Sequence, residues 1–303
     1  MKLARDGIQL SFDIAGAGPP EFLFVHGLGG DRTHFTPQME YFARQGRVLT
    51  AELRGHGESD KPNQTYSIEG FAEDLVWLCT RQHLKKPVIV GQSMGGNMAL
   101  EIAARYPDFP AGLVLLDSGV LFPESAGTVF AGYLEGLRRA DFAAQVRHIV
   151  ADSCLPTDTC RAHVEQTFLA TPQHVLVSTF ESLSPWDVQR ARACAKACQV
   201  PVLYIEAAHR LADLDRFAAL CPQLVTAKAV GSGHFLSLEV PEQINPMIDR
   251  FLSRYVRRPG ETSSQPGSIR RTDNHGRTRA WSRRGKPRGS CRSRWGVCGH
   301  GAT

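Results

Sequence analysis

Long apolar runs are missing from this chain: nowhere among its 303 residues do about 18 apolar side chains follow one another, so a helical membrane span is not expected. The opening MKLARDGIQLSFDIAG lacks the apolar core and small-residue cleavage site of a secretory signal, and the expectation is a soluble, cytoplasmic protein with no membrane partner. Paired CxxC spacing is absent too. The eight cysteines, at 79, 154, 160, 194, 198, 221, 291 and 298, are scattered, which speaks against a zinc site or a disulfide framework and for buried thiols, although Cys194 and Cys198 fall one helical turn apart. A net positive charge is missing from the part expected to fold. Residues 257–303 hold 11 Arg and one Lys against Glu261 and Asp273, a net +10, so the chain's +5 leaves −5 for residues 1–256. An acidic body gives no footing for phosphate, and no nucleic-acid partner is expected for it. The 257–303 tail has almost no aliphatic residues to bury and is expected to be disordered.

What the chain does have is 42% hydrophobic residues in an ordered rhythm, enough for one large core and a small insertion. Short β-branched runs alternate with longer amphipathic ones, the pattern of a mostly parallel sheet wrapped by helices. Strands are predicted near Lys2–Arg5, Ile8–Ile14, Glu21–Val25, Val48–Glu52, Pro87–Val90, Gly112–Leu116, Val202–Ile205 and Leu224–Val230. EFLFV, RVLTAE, PVIV, LVLL and VLYI are nearly continuous apolar runs, as strands covered on both faces should be. Helices are predicted at about Phe35–Arg44, Ile68–His83, Gly95–Tyr106, Leu211–Leu220 and Pro241–Arg257. Ser184, Pro185 and Asp187 read as the cap, first-turn proline and first-turn acid of another.

Between Leu116 and Val202 the strand rhythm stops for far longer than a crossover needs. TVFAGYLEGL and FAAQVRHIV read there as amphipathic helices, so residues 120–183 are expected to form a helical cap, with 1–119 and 184–256 as the core. Phe122, Phe130, Tyr133, Phe168, Phe180 and Trp186 are candidates for a substrate cavity, against the plainer role of packing the cap helices together.

Three elements carry chemistry. In PVIVGQSMGGNMAL, Gly91, Ser93 and Gly95 form GxSxG between a buried strand and a helix. A nucleophile on so sharp a turn has a strained backbone, and side chains two residues either way would collide with it. The same turn starts a helix behind Ser93, aiming the Met94 amide and the helix dipole at a developing oxyanion. In FLFVHGLGGDRTHF, glycines after a strand allow close backbone approach, making the Leu28 amide the second oxyanion donor, while His26 reads as structural. In AVGSGHFLSLEVPEQ, His234 lies in a glycine-flanked loop between the last strand and the last helix. An imidazole there can take the serine proton and return it to a leaving group.

In this order the three elements, with the AELRGHGESD turn, resemble the α/β-hydrolase superfamily over about residues 1–256. The resemblance implies an α/β fold with an eight-stranded, mostly parallel sheet, a Ser–acid–His triad, ester or related acyl chemistry, and no catalytic part for the Arg54–Ser59 turn. The acid departs from the commonest pattern. Relatives generally carry Asp a few residues after the strand matching VPVLYIE, but Glu206, Ala207, Ala208, His209 and Arg210 follow here. Asp117, at the end of GLVLLDSG, is the first choice; Glu206, Asp213 and Asp215 stay open.

The expected reaction is hydrolysis of an uncharged or weakly polar ester through an acyl-enzyme on Ser93, His234 and Asp117, with the amides of Leu28 and Met94 as oxyanion hole and no cofactor or metal required. The expected partner is a small-molecule ester or lactone. Lactone hydrolysis, carbon–carbon bond hydrolysis and perhydrolysis are the nearest rivals, and a ligand-binding sensor that keeps the fold is the rival of another class. Serine at the elbow argues against haloalkane dehalogenases and epoxide hydrolases, which attack with Asp.

Overall fold

The strands foreseen from the apolar runs assemble into one sheet in a computed structural model that describes residues 1–123 and 126–256. They are β1 Lys2–Arg5, β2 Ile8–Ala15, β3 Glu21–Val25, β4 Arg47–Ala51, β5 Val88–Gln92, β6 Gly112–Leu116, β7 Val202–Glu206 and β8 Leu224–Lys228, each within a residue or two of its predicted span. Their order is β1-β2-β4-β3-β5-β6-β7-β8; β1 and β4 run antiparallel to β2, and every later pair is parallel. The tail at 257–303, expected to be disordered, lies outside the described residues.

Alternate side chains explain why the runs are apolar throughout. Phe22, Phe24, Val90, Val114 and Leu203 face α1 (Thr36–Phe42) and the C-terminal helix through Ile244, Ile248 and Phe251. Leu23, Val25, Ile89, Leu115 and Tyr204 face the opposite way, onto α2 (Ile68–Arg81) and α3 (Met94–Arg105). A strand with water on one side would need polar residues at every second position.

The interval between β6 and β7 holds α4 Ala126–Leu137, α5 Phe142–Ser153, α6 Arg161–Ala170, α7 Gln173–Trp186 and α8 Arg192–Ala197, with a π-turn at Asp187–Ala191. After β7 come α9 Leu214–Leu220, α10 Leu236–Glu239 and α11 Pro241–Tyr255. The helix start read at Ser184–Pro185–Asp187 is overturned: Pro185 lies inside α7, and the boundary placed at 183/184 falls within that helix. Asp187 caps elsewhere, accepting from the amides of Leu121 (2.6 Å) and Phe122 (3.0 Å). The buried carboxylate of Glu101 on α3 receives Trp186 Nε1 (2.9 Å), both Arg190 donors (2.9 and 2.5 Å) and Cys194 Sγ (3.2 Å). Those long-range bonds hold the helix on course past its proline. Among the described residues no helix is long and apolar enough to cross a membrane.

Candidate active site

Because β3, β5, β6 and β7 are parallel neighbours, the loops that follow them emerge side by side at one edge of the sheet. Ser93 joins β5 to α3 with φ 53° and ψ −121°, a positive-φ conformation that a side chain adopts only when its surroundings enforce it. Its own amide donates to Leu116 O of β6 at 2.9 Å. The flanking glycines are demanded by contact: a Cβ on Gly91 would lie 2.3 Å from the Gly95 carbonyl group, and one on Gly95 would lie 2.1 Å from Val25 O.

The loop after β3 backs onto the same turn. A Cβ on Gly27 would come within 2.9 Å of Ser93 Cβ, so only glycine lets this backbone run beside the nucleophile candidate. Leu28 and Met94 both line the cavity that Ser93 enters. His26 is spent structurally: its Nε2 accepts from Leu53 N (3.1 Å) and its Nδ1 donates to Gly27 O (2.7 Å).

Of the four candidate acids, Asp117 is the one that bonds His234 among the described residues. His234 Nδ1 lies 2.7 Å from Asp117 Oδ2, and since a carboxylate there only accepts, Nδ1 carries the proton and Nε2 of the neutral ring keeps a lone pair. Asp117 is buried at φ 43°, just past β6, and its other oxygen accepts from Ala207 N at 3.3 Å. Glu206 pairs with Arg210 (3.3 Å), Asp213 caps α9 by accepting from Arg216 N (3.0 Å), and Asp215 is exposed in that helix's first turn. Neither the Ser93 hydroxyl nor His234 Nε2 makes a hydrogen bond among the described residues, yet both side chains line one cavity.

That cavity is about 210 Å³, with a wall more apolar than polar. Phe122, Phe130, Tyr133, Phe168 and Phe180 line it as foreseen, joined by Phe235 beside the imidazole. Trp186 does not; it is buried on Glu101 instead. Sequence reasoning also missed Ser153 and Asp158, whose turn between α5 and α6 holds the His234 loop from outside, and Gln92, whose Nε2 donates to His234 O at 3.1 Å. A lone Asp in SCLPTDTC carries no signal of a partner 75 residues away.

Among the described residues one group has the makings of a metal site: Asp31, His34 and His163 bring ligand atoms within 4.8 Å of one another. Each already serves a hydrogen bond. Asp31 accepts from Thr33, the Thr33 hydroxyl also bonds His163 Nε2 (2.8 Å), and His34 Nε2 bonds Thr167 Oγ1 (3.0 Å), tying the glycine loop to α6.

Burial pushes His34 and His56 down to about 3, each also lowered by the neighbouring His26. Their folded-state values lie below the unfolded one, so the stability tied to their neutral rings is complete above about pH 6.5 and is lost as pH falls toward 3. Urea unfolding should therefore show stability dropping by roughly 1.4 kcal/mol per pH unit for each of the two groups below pH 6. An unfolding midpoint unchanged between pH 7 and 4.5 contradicts this.

Comparison with known proteins agrees with the fold. The family model of the alpha/beta hydrolase fold matches residues 20–241. The dihydrolipoyllysine-residue acetyltransferase component of the acetoin cleaving system of Pseudomonas putida is 26% identical over 248 residues, covering 80% of this chain and 66% of that protein. The chain thus spans just under two thirds of that relative's length. Among solved structures, the enol-lactonase of Burkholderia xenovorans superposes with a TM-score of 0.75 at 22% identity, covering 84% of this chain and 100% of the other. A thermophilic esterase of Thermogutta terrifontis gives 0.69 at 27% identity, covering 83% and 96%.

Proposed function

The chain belongs to the alpha/beta hydrolase fold family, and from that premise we propose that it is a serine hydrolase cleaving an uncharged or weakly polar carboxylic ester through an acyl-enzyme. The observation that carries this reading is the 2.7 Å bond from His234 to the buried Asp117, in a cavity that also receives Ser93 from its strained turn.

In this reading His234 Nε2 takes the Ser93 proton as the oxygen attacks the ester carbonyl. The amides of Leu28 and Met94 hold the tetrahedral oxyanion, and Asp117 steadies the imidazolium. His234 then gives its proton to the departing alcohol. Water, deprotonated by the same imidazole, attacks the acyl-enzyme and releases the acid and the free serine. The helices between β6 and β7 act as the cap, and their aromatic rings supply an apolar seat for the acyl or alcohol group. The 27% identical esterase structure supports the ester reading.

The test is a graded panel of nitrophenyl esters and lactones, run beside labelling with a serine-directed fluorophosphonate. The expected result is turnover of short and aromatic esters and a single label on Ser93. No label and no turnover would favour a ligand-binding protein that has kept the fold.

A further inference from the structure

The loop bearing His234 is gripped from the helical insertion as well as from the sheet. The turn between α5 and α6 offers Ser153 O to His234 N (2.8 Å) and Asp158 Oδ2 to Gly233 N (3.0 Å), so two successive amides of that loop are received by one six-residue stretch. The same Oδ2 also accepts from Leu155 N at 2.8 Å, within the turn. Just beyond, Glu239 Oε2 accepts from Thr159 N (2.8 Å) and Cys160 N (3.0 Å), so the two segments are joined along their length.

Asp158 is 9% exposed, and its Oδ1 is buried without a partner. Burying a carboxylate with one oxygen idle is costly, and closing a local turn does not require it, since the turn's backbone already bonds Asp158 N to Leu155 O at 3.0 Å. What the side chain adds is the reach to Gly233, next to the imidazole. The end of α5, from which the turn starts, places Asp152 and Ser153 in the cavity wall, giving His234 and that wall one support.

We propose that Asp158 is a positioning residue for the general base: by clasping the Gly233 amide to the α5–α6 turn, it holds the His234 imidazole in its attacking position over Ser93. The proposal rests on the serine-hydrolase reading above. Asp158 touches no reacting atom, so its loss should slow turnover without weakening substrate binding.

The experiment measures kcat and KM for 4-nitrophenyl butyrate with wild type, Asp158→Ala, Asp158→Asn and Gly233→Ala, after fluorophosphonate labelling of wild type and Ser93→Ala. Asp158→Ala should lower kcat by about 10- to 100-fold with KM changed by less than about threefold, as a displaced catalytic group does. Asp158→Asn should recover most of that loss, because its amide oxygen can take the place of Oδ2 and accept both N–H groups. Gly233→Ala attacks the clasp from the other side, since its Cβ would lie 2.5 Å from Asp158 Oδ2 and 2.7 Å from Ser153 O. It should repeat the kcat loss with Asp158 still present, and it decides the matter if Asp158→Ala does not fold. An Asp158→Ala enzyme as fast as wild type, a loss confined to KM, or an Asn variant as slow as the Ala variant overturns the clasp. Wild type that neither labels nor turns over removes the serine-hydrolase reading, and the clasp falls with it. A labelled, active wild type with unaffected variants removes the clasp alone.

Discussion

Replacing Ser93 with alanine should cut kcat for a short-chain nitrophenyl ester on the order of 10⁶-fold, the size of loss that follows removal of an activated serine nucleophile. In the proposed mechanism the oxygen lost is the one that attacks, and two other hydroxyls in the cavity wall are engaged elsewhere: Ser153 Oγ donates to Ile149 O at 2.7 Å and the Tyr133 hydroxyl to Asp152 Oδ2 at 2.8 Å. Alanine keeps the same backbone and removes only the hydroxyl of a half-buried, cavity-lining residue, with no hydrogen bond among the described residues, so the melting temperature should stay within a few degrees. Initial rates, fluorophosphonate labelling and a thermal melt on one preparation check all three points. A Ser93→Ala protein retaining a tenth of the activity would place the nucleophile elsewhere.

Replacing Asp117 with asparagine should cost about 10⁴-fold in kcat, the penalty of holding the wrong imidazole tautomer in otherwise intact geometry. Asparagine can still accept from Ala207 N through its carbonyl oxygen. Its amide nitrogen then faces His234 Nδ1 and donates, which favours the proton on Nε2, where a base needs its lone pair. Glu206→Gln and Asp213→Asn are the informative controls. Each alters a carboxylate engaged elsewhere, in the Arg210 pair or the α9 cap, and each should leave kcat within about twofold, because neither bonds the imidazole whose tautomer the orienting acid sets. If Glu206→Gln is slow and Asp117→Asn is not, the orienting acid is Glu206.

The two expectations differ in how far sequence alone supports them. Ser93 was legible because its demands are local. A strained turn needs glycine two residues away on both sides, a buried strand before it and a helix after it, and each demand is met within a dozen residues. The loops that bring Leu28 and His234 to the cavity, and the helix start at Met94, were legible for similar reasons, through glycines that let a backbone come close or a loop reach. The identity of the acid was not legible. Asp117, Glu206 and Asp213 all sit at or beyond the C-terminal ends of β6 and β7, which are hydrogen-bonded neighbours, and nothing in local residue order tells which carboxylate turns toward the His234 loop.

The same boundary runs through the misreadings. Ser184, Pro185 and Asp187 obey the grammar of a helix start, but that grammar is also compatible with a helix interior whose neighbours hold it in place, as Glu101 does across 85 residues to Trp186. Trp186, taken for cavity lining by its aromatic character, turns to that carboxylate because an indole N–H in a core must find an acceptor.

By itself the amino-acid order determined the eight strands, the sharp bend at Ser93 and the glycine-bounded loops, because backbone conformation and strand burial are dictated by neighbours along the chain. Only the folded molecule decided which acid meets His234, which rings enclose the cavity, and that Asp158 reaches Gly233. Those are meetings of side chains remote in sequence, and their outcome depends on directions in space that no run of adjacent residues encodes.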